Sequence, residues 1–136
     1  METSHPRLQE TLQEAREARK AAYAPYSGFR MGAAVVTDSG ALVRGVLVEN
    51  ISLGLAMCAE RVALFATVTG GLGRPELLAL AAPRTAGGLT WPCGACLQVA
   101  REFGDGDMLI AVSDGKETLL AHLEDLAPRL PHKSNP

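Results

Sequence analysis

The sequence predicts a single α/β domain. Three stretches with helical periodicity alternate with five short aliphatic runs, and neither an internal repeat nor a long linker interrupts the series. The chain has 136 residues, 47% of them apolar, which is enough to build the core of one ordinary domain without disulfide staples. The predicted domain spans residues 1–136, with a polar tail from about 128.

The first helix is predicted over residues 6–22, where Leu8, Leu12, Ala15 and Ala22 share one face while Glu14, Arg16 and Glu17 point elsewhere. Pro25 and Gly28 then break it, because proline disfavours helical geometry in its predecessor and glycine permits a sharp turn. Strands follow at 31–37 and 41–48, joined by the hairpin signal Asp38-Ser39-Gly40. A second helix begins near Cys58, carried by Ala59, Val62, Ala63 and Ala66, and stops at Gly70-Gly71. Residues 77–82 read as a short buried strand. Pro92 suits the start of a third helix, which places Leu97, Ala100 and Phe103 on one face and ends at Gly104. The last strands are predicted at 108–113 and 117–121 around Asp114-Gly115, followed by a short helical stretch and the polar residues 132–136.

Composition excludes several classes of partner. A formal charge of −2 provides no basic field for a phosphate backbone, and 4% aromatic residues provide few stacking platforms for single-stranded bases. No uncharged apolar run approaches the ~20 residues that span a bilayer, and the first residues lack the pattern of a secretory leader. The expectation is a cytoplasmic protein with no nucleic-acid or membrane partner. Its three cysteines, an odd number at motif spacing, favour a metal over a disulfide in such a compartment.

Those cysteines carry the chemistry. Cys58 opens the run Cys58-Ala59-Glu60-Arg61, while Cys93 and Cys96 lie in Pro92-Cys93-Gly94-Ala95-Cys96. Both motifs fall at predicted helix starts, where free N–H groups and the positive end of the dipole favour thiolates. Three thiolates suit Zn²⁺ with an open fourth position, the pattern of a catalytic site; a closed structural site would need a fourth protein ligand. His5 and His132 sit in predicted tails, and His122 reads as part of a surface turn or helix, so none is a strong candidate. Glu60 is placed for proton transfer beside the metal, or else is a helix-start carboxylate favoured by the dipole. Arg61 either donates to the thiolates or is a solvated helix arginine.

These residues resemble the small homotetrameric cytidine deaminases. The likeness rests on Ala22-Tyr23-Ala24-Pro25-Tyr26-Ser27, Val48-Glu49-Asn50, Cys58-Ala59-Glu60-Arg61 and Pro92-Cys93-Gly94-Ala95-Cys96, in that order, and runs to about Leu126. The resemblance implies a three-layer α/β/α domain on a mixed five-stranded sheet. It implies zinc on Cys58, Cys93 and Cys96, with Glu60 moving protons during hydrolytic deamination of cytidine and deoxycytidine to uridine and deoxyuridine. It further implies that the backbone of Ala59 and Cys93 contacts the base, that Phe29 packs on the nucleoside and that Glu49 binds a ribose hydroxyl. Phe29 as a core aromatic and Glu49 as a strand-end surface charge remain open readings.

Four departures from the family pattern fall mainly on the sugar side. Leu47 replaces an Asn, Leu53 replaces an aromatic, Leu97 replaces an arginine after the last cysteine, and the C-terminal aromatic has no match. They keep two alternatives open: a deaminase of a modified cytosine nucleoside or another aminated heterocycle, and a non-catalytic zinc-binding module.

Overall fold

A computed structural model of the protein describes residues 4–133; residues 1–3 and 134–136, including the end of the predicted polar tail, lie outside the described residues. Helix α1 (Leu8–Arg19) is followed by strands β1 (Gly32–Thr37) and β2 (Leu42–Val46), helix α2 (Ala59–Thr69) and strand β3 (Pro75–Ala81). Helix α3 (Gly94–Phe103), strands β4 (Leu109–Ser113) and β5 (Thr118–His122) and the short helix α4 (Leu123–Leu126) complete the order. The strands form one mixed sheet in the order β2-β1-β3-β4-β5. Only the β3–β4 pair is parallel, and α3 makes its crossover.

Strand periodicity assigns the two faces of the sheet. Val35, Leu78, Leu80, Ile110 and Val112 pack with Ala59, Ala63 and Leu64 of α2 and Leu97 and Ala100 of α3. The alternating neighbours Ala34, Val36, Leu77, Ala79, Leu109 and Ala111 pack with Leu12 and Ala15 of α1. The predicted α/β/α layering on five strands is therefore the observed one. Both faces are covered, which explains why β1, β3 and β4 read as continuous apolar runs.

Two glycines set how closely the helices approach. A Cβ at Gly32 would overlap the Ala15 carbonyl and the Arg19 amide of α1, and one at Gly45 would overlap the Ala59 carbonyl and the Ala63 amide of α2. The backbone of α2 thus rests directly on β2, and this contact fixes the height of Cys58 and Glu60 over the sheet.

Several predicted boundaries require correction. Helix α1 ends at Arg19, because the chain turns so that the Tyr23 amide donates to the Leu47 carbonyl at 2.9 Å. Strand β2 ends at Val46, and Val48 instead exchanges hydrogen bonds with Met57 at 2.9 and 3.0 Å. Pro92 does not open α3: Cys93 is its N-cap and Gly94 its first residue. Strand β3 begins at Pro75, opposite a register shift at Val36/Thr37 where the missing N–H of proline costs nothing. His122 is not a surface residue; it ends β5, buried, with Nδ1 2.8 Å from the Asp107 carbonyl. His5, assigned to a tail, lies 3.2 Å from a Glu76 carboxylate oxygen.

Candidate metal and catalytic site

The sulfur atoms converge because two helices start beside each other. Cys58 caps α2 with φ −68° and ψ 148°, and Cys93 caps α3 with φ −70° and ψ 168°. Their carbonyls accept the first helical hydrogen bonds, from Val62 at 3.1 Å and Leu97 at 3.0 Å. Cys96 lies one turn into α3 on its buried side, which brings its Sγ to 3.5 Å from that of Cys93. The three Sγ atoms all lie within 4.8 Å of one another, the one such ligand cluster among the described residues. The site opens outward, with Cys96 buried, Cys58 half-buried and Cys93 exposed.

The surroundings favour a thiolate at Cys58. The Cys96 thiol, hydrogen-bonded to Cys58, holds Cys58 down at about 5, and the Arg61 guanidinium reinforces this. The same hydrogen bond, together with burial, pushes the Cys96 thiol up. Arg61 donates from Nη2 to the Cys58 Sγ at 3.4 Å, and that bond raises the arginine above its ordinary range. Both helix N-termini add partial positive charge. The donor set fits Zn²⁺: three soft ligands, Cys58 already favoured as a thiolate, with protein on one side and open space on the other.

Glu60 supplies the remaining chemical group. It occupies the second position of α2, 1% exposed, and its Oε1 has no hydrogen-bond partner. A buried carboxylate oxygen without a partner costs on the order of 1–3 kcal/mol, so it points to a ligand atom or water that completes the site. Burial pushes the Glu60 carboxyl up to about 7, where it can both accept and release a proton near neutrality.

The other sequence candidates lie around this centre with differing engagement. Ala59, next to Cys58, is fully buried at the start of α2. Phe29 is half-buried against the core cluster that α2 and α3 share. The carboxylate of Glu49 accepts hydrogen bonds from the Tyr26 amide at 3.0 Å, the Ser27 amide at 3.3 Å and the Ser27 hydroxyl. The Ser27 hydroxyl chiefly lowers its pKa. Ser27 and Tyr26, quoted within a sequence motif but without a role of their own, thus set the position of Glu49. Leu47 is half-buried, its backbone tied to Met31 and Tyr23. Leu53 is 85% exposed on a 3₁₀ turn (Leu53–Leu55), and Leu97 is packed in the core. Neither position points to a changed reaction.

Comparison with known proteins places this geometry. A family model described as the cytidine and deoxycytidylate deaminase zinc-binding region matches residues 6–112. The chain is 38% identical over 120 residues to a cytidine deaminase of Sporosarcina psychrophila, covering 85% of this chain and 87% of the relative. Against a cytidine deaminase of Mycobacterium tuberculosis it is 46% identical over 96 residues, 71% of each chain. A crystal structure of cytidine deaminase from Burkholderia pseudomallei superposes with a TM-score of 0.84 at 36% identity, covering 90% of this chain and 97% of that one.

Proposed function

The chain belongs to the cytidine and deoxycytidylate deaminase family, and from that premise we propose that Cys58, Cys93 and Cys96 hold its zinc while Glu60 moves the protons of the reaction. The protein is a zinc-dependent hydrolase that deaminates cytidine, giving uridine and ammonia. Deoxycytidine is the proposed second substrate, and pyrimidine salvage the proposed role.

The observation that carries the assignment is the unpartnered, buried Oε1 of Glu60 beside three converging sulfurs. Zinc held by Cys58, Cys93 and Cys96 would supply Lewis-acid chemistry, making a water nucleophilic at neutral pH. Glu60 takes one proton from the attacking water and delivers it to N3 of the cytosine ring, then takes the second from the hydroxyl formed at C4 and delivers it to the amine, so that the C4–N bond breaks, ammonia leaves and C4 keeps the oxygen as a carbonyl. Arg61 holds the Cys58 thiolate against protonation. The backbone at Ala59 and Cys93 orients the base, and Phe29 covers the nucleoside. Glu49 binds a ribose hydroxyl from a carboxylate steadied by Ser27, and Leu47 packs beside the sugar.

A homotetramer is proposed as the assembly, supported by the exposed apolar residues Ile51, Leu53 and Leu55 on one loop and by Tyr23 and Tyr26. A cytoplasmic location is supported by three cysteines kept reduced for metal. Among the described residues no helix is long and apolar enough to cross a membrane.

The test is ammonia release from cytosine, cytidine, deoxycytidine and cytidine monophosphate, run beside metal analysis. Zinc at one ion per chain with turnover of the two nucleosides is the expected outcome. Stoichiometric zinc without ammonia from any of the four would refute the catalytic reading.

A further inference from the structure

The last turn of α1 and the turn after Pro25 border an open surface cleft of about 350 Å³ lined by Arg16, Arg19, Lys20, Gly28 and Arg30. Such a concentration of positive charge is unexpected in a chain with a formal charge of −2. One ordinary use is available, since cations near a helix C-terminus complement its dipole, but this effect needs neither so many cations nor fixed ones. Here two of them are fixed. Arg19 donates from Nε to the Arg30 carbonyl at 2.9 Å, and Arg30 donates from Nη1 to the Lys20 carbonyl at 2.9 Å. Each guanidinium is therefore pinned by backbone of the opposing segment through one of its five N–H donors.

Their charges are also left unneutralised. The ion pairs among the described residues use other cations, whereas Arg16 donates to the neutral Gln13 at 2.8 Å. Lys20 differs, being tied to Glu17 at 3.0 Å. Gly28, with φ 68° and nothing within 4 Å of the place a Cβ would take, presents bare backbone.

The geometry points to a binding site for a phosphate-bearing small molecule in this cleft, gripped by the guanidiniums of Arg19 and Arg30, with Arg16 adding charge. Planar guanidinium forks match phosphate oxygens two at a time, and fixing them in advance reduces the entropy lost on binding. A carboxylate would fit one fork, but three uncompensated guanidiniums favour a ligand with two or more negative charges. The site also adjoins the nucleoside pocket proposed above. Gly28 and Arg30 flank Phe29, and the same turn holds Glu49 through Tyr26 and Ser27. An anion that steadies this turn would lower the KM for cytidine more than it changes kcat, an effect that rests on the placement of Phe29 and Glu49, whereas binding itself does not.

Titration calorimetry of the zinc-loaded protein at low ionic strength tests the site, with orthophosphate, pyrophosphate and adenosine triphosphate as probes. Saturable binding at one site per chain is expected, tighter for pyrophosphate than for orthophosphate. Arg30→Lys keeps the charge but removes the fork, and Arg16→Gln leaves the backbone clasp untouched; each is expected to weaken pyrophosphate roughly tenfold. Equal affinity for pyrophosphate and the triphosphate would place recognition in the phosphates alone, while tighter triphosphate binding would make the ligand a nucleotide; both outcomes support the site. Absence of saturable binding at millimolar concentrations, or affinity unchanged in both variants, overturns it, the latter by locating the anion elsewhere, such as at the zinc.

Discussion

Glu60 and Arg61 are adjacent in the chain and opposite in their demands. The fold withholds every partner from the Glu60 Oε1 while aiming Arg61 at a sulfur. Glu60→Gln preserves size and polarity but cannot accept a proton, so zinc content is expected to stay at one per chain while kcat falls ~10²–10⁴-fold or more. Elemental analysis and ammonia release on the same sample separate the two, and near-normal turnover at full metal would remove the proton-transfer role. Arg61→Ala leaves all three proposed ligands in place and takes away the donor on Cys58. Because Leu97 is apolar and core-packed, the residue after Cys96 supplies no guanidinium in its place. Zinc affinity, measured by competition with a chromophoric chelator, is expected to drop ~10–100-fold. Unaltered affinity would mean that the helix N-termini stabilise the thiolates unaided.

At the scale of elements, the site depends on how low α2 sits on β2, and Gly45 controls that height. Gly45→Ala forces the backbones apart, at a cost of ~1–3 kcal/mol, and shifts Cys58 relative to Cys93 and Cys96 at the start of α3. Gly32→Ala imposes the same kind of overlap on the other face, against α1, where no ligand is carried. Both variants are expected to lose comparable stability in urea denaturation, but only Gly45→Ala should also release zinc readily to a chelator. Equal zinc retention would show that the metal holds α2 in place regardless of the sheet. Glycine within a strand is a readable sign of close backbone approach, so this feature was accessible from sequence. The three helices and five strands were legible for a similar reason, since each carries its own hydrophobic period. The cysteine site was legible because both motifs lie at helix starts. The end of β2 and the partners of Glu49 were not, because they are set by hydrogen bonds between distant segments, such as Tyr23 to Leu47 and Tyr26 to Glu49. No local pattern encodes such contacts.

For the whole molecule, the question is what covers the loop between β2 and α2. Single exposed apolar side chains are ordinary, but Ile51, Leu53 and Leu55 are 83%, 85% and 68% exposed within five residues, shortly before Cys58 and α2. A monomer pays for that exposure in solubility, whereas a symmetric assembly buries the same loop from each subunit. The loop also follows Glu49, so a subunit contact there would hold the proposed sugar side of the pocket. The double substitution Leu53→Glu and Leu55→Glu places like charges at any such contact while leaving the core untouched. Sedimentation velocity is expected to show a multi-subunit wild type and a smaller species for the double variant. Turnover of the variant should fall as the protein is diluted, with its zinc retained, because the three proposed ligands all belong to one chain. If the wild type sediments as a monomer, or the charged variant assembles and turns over like it, the loop is not the contact and the nucleoside pocket is complete within a single subunit.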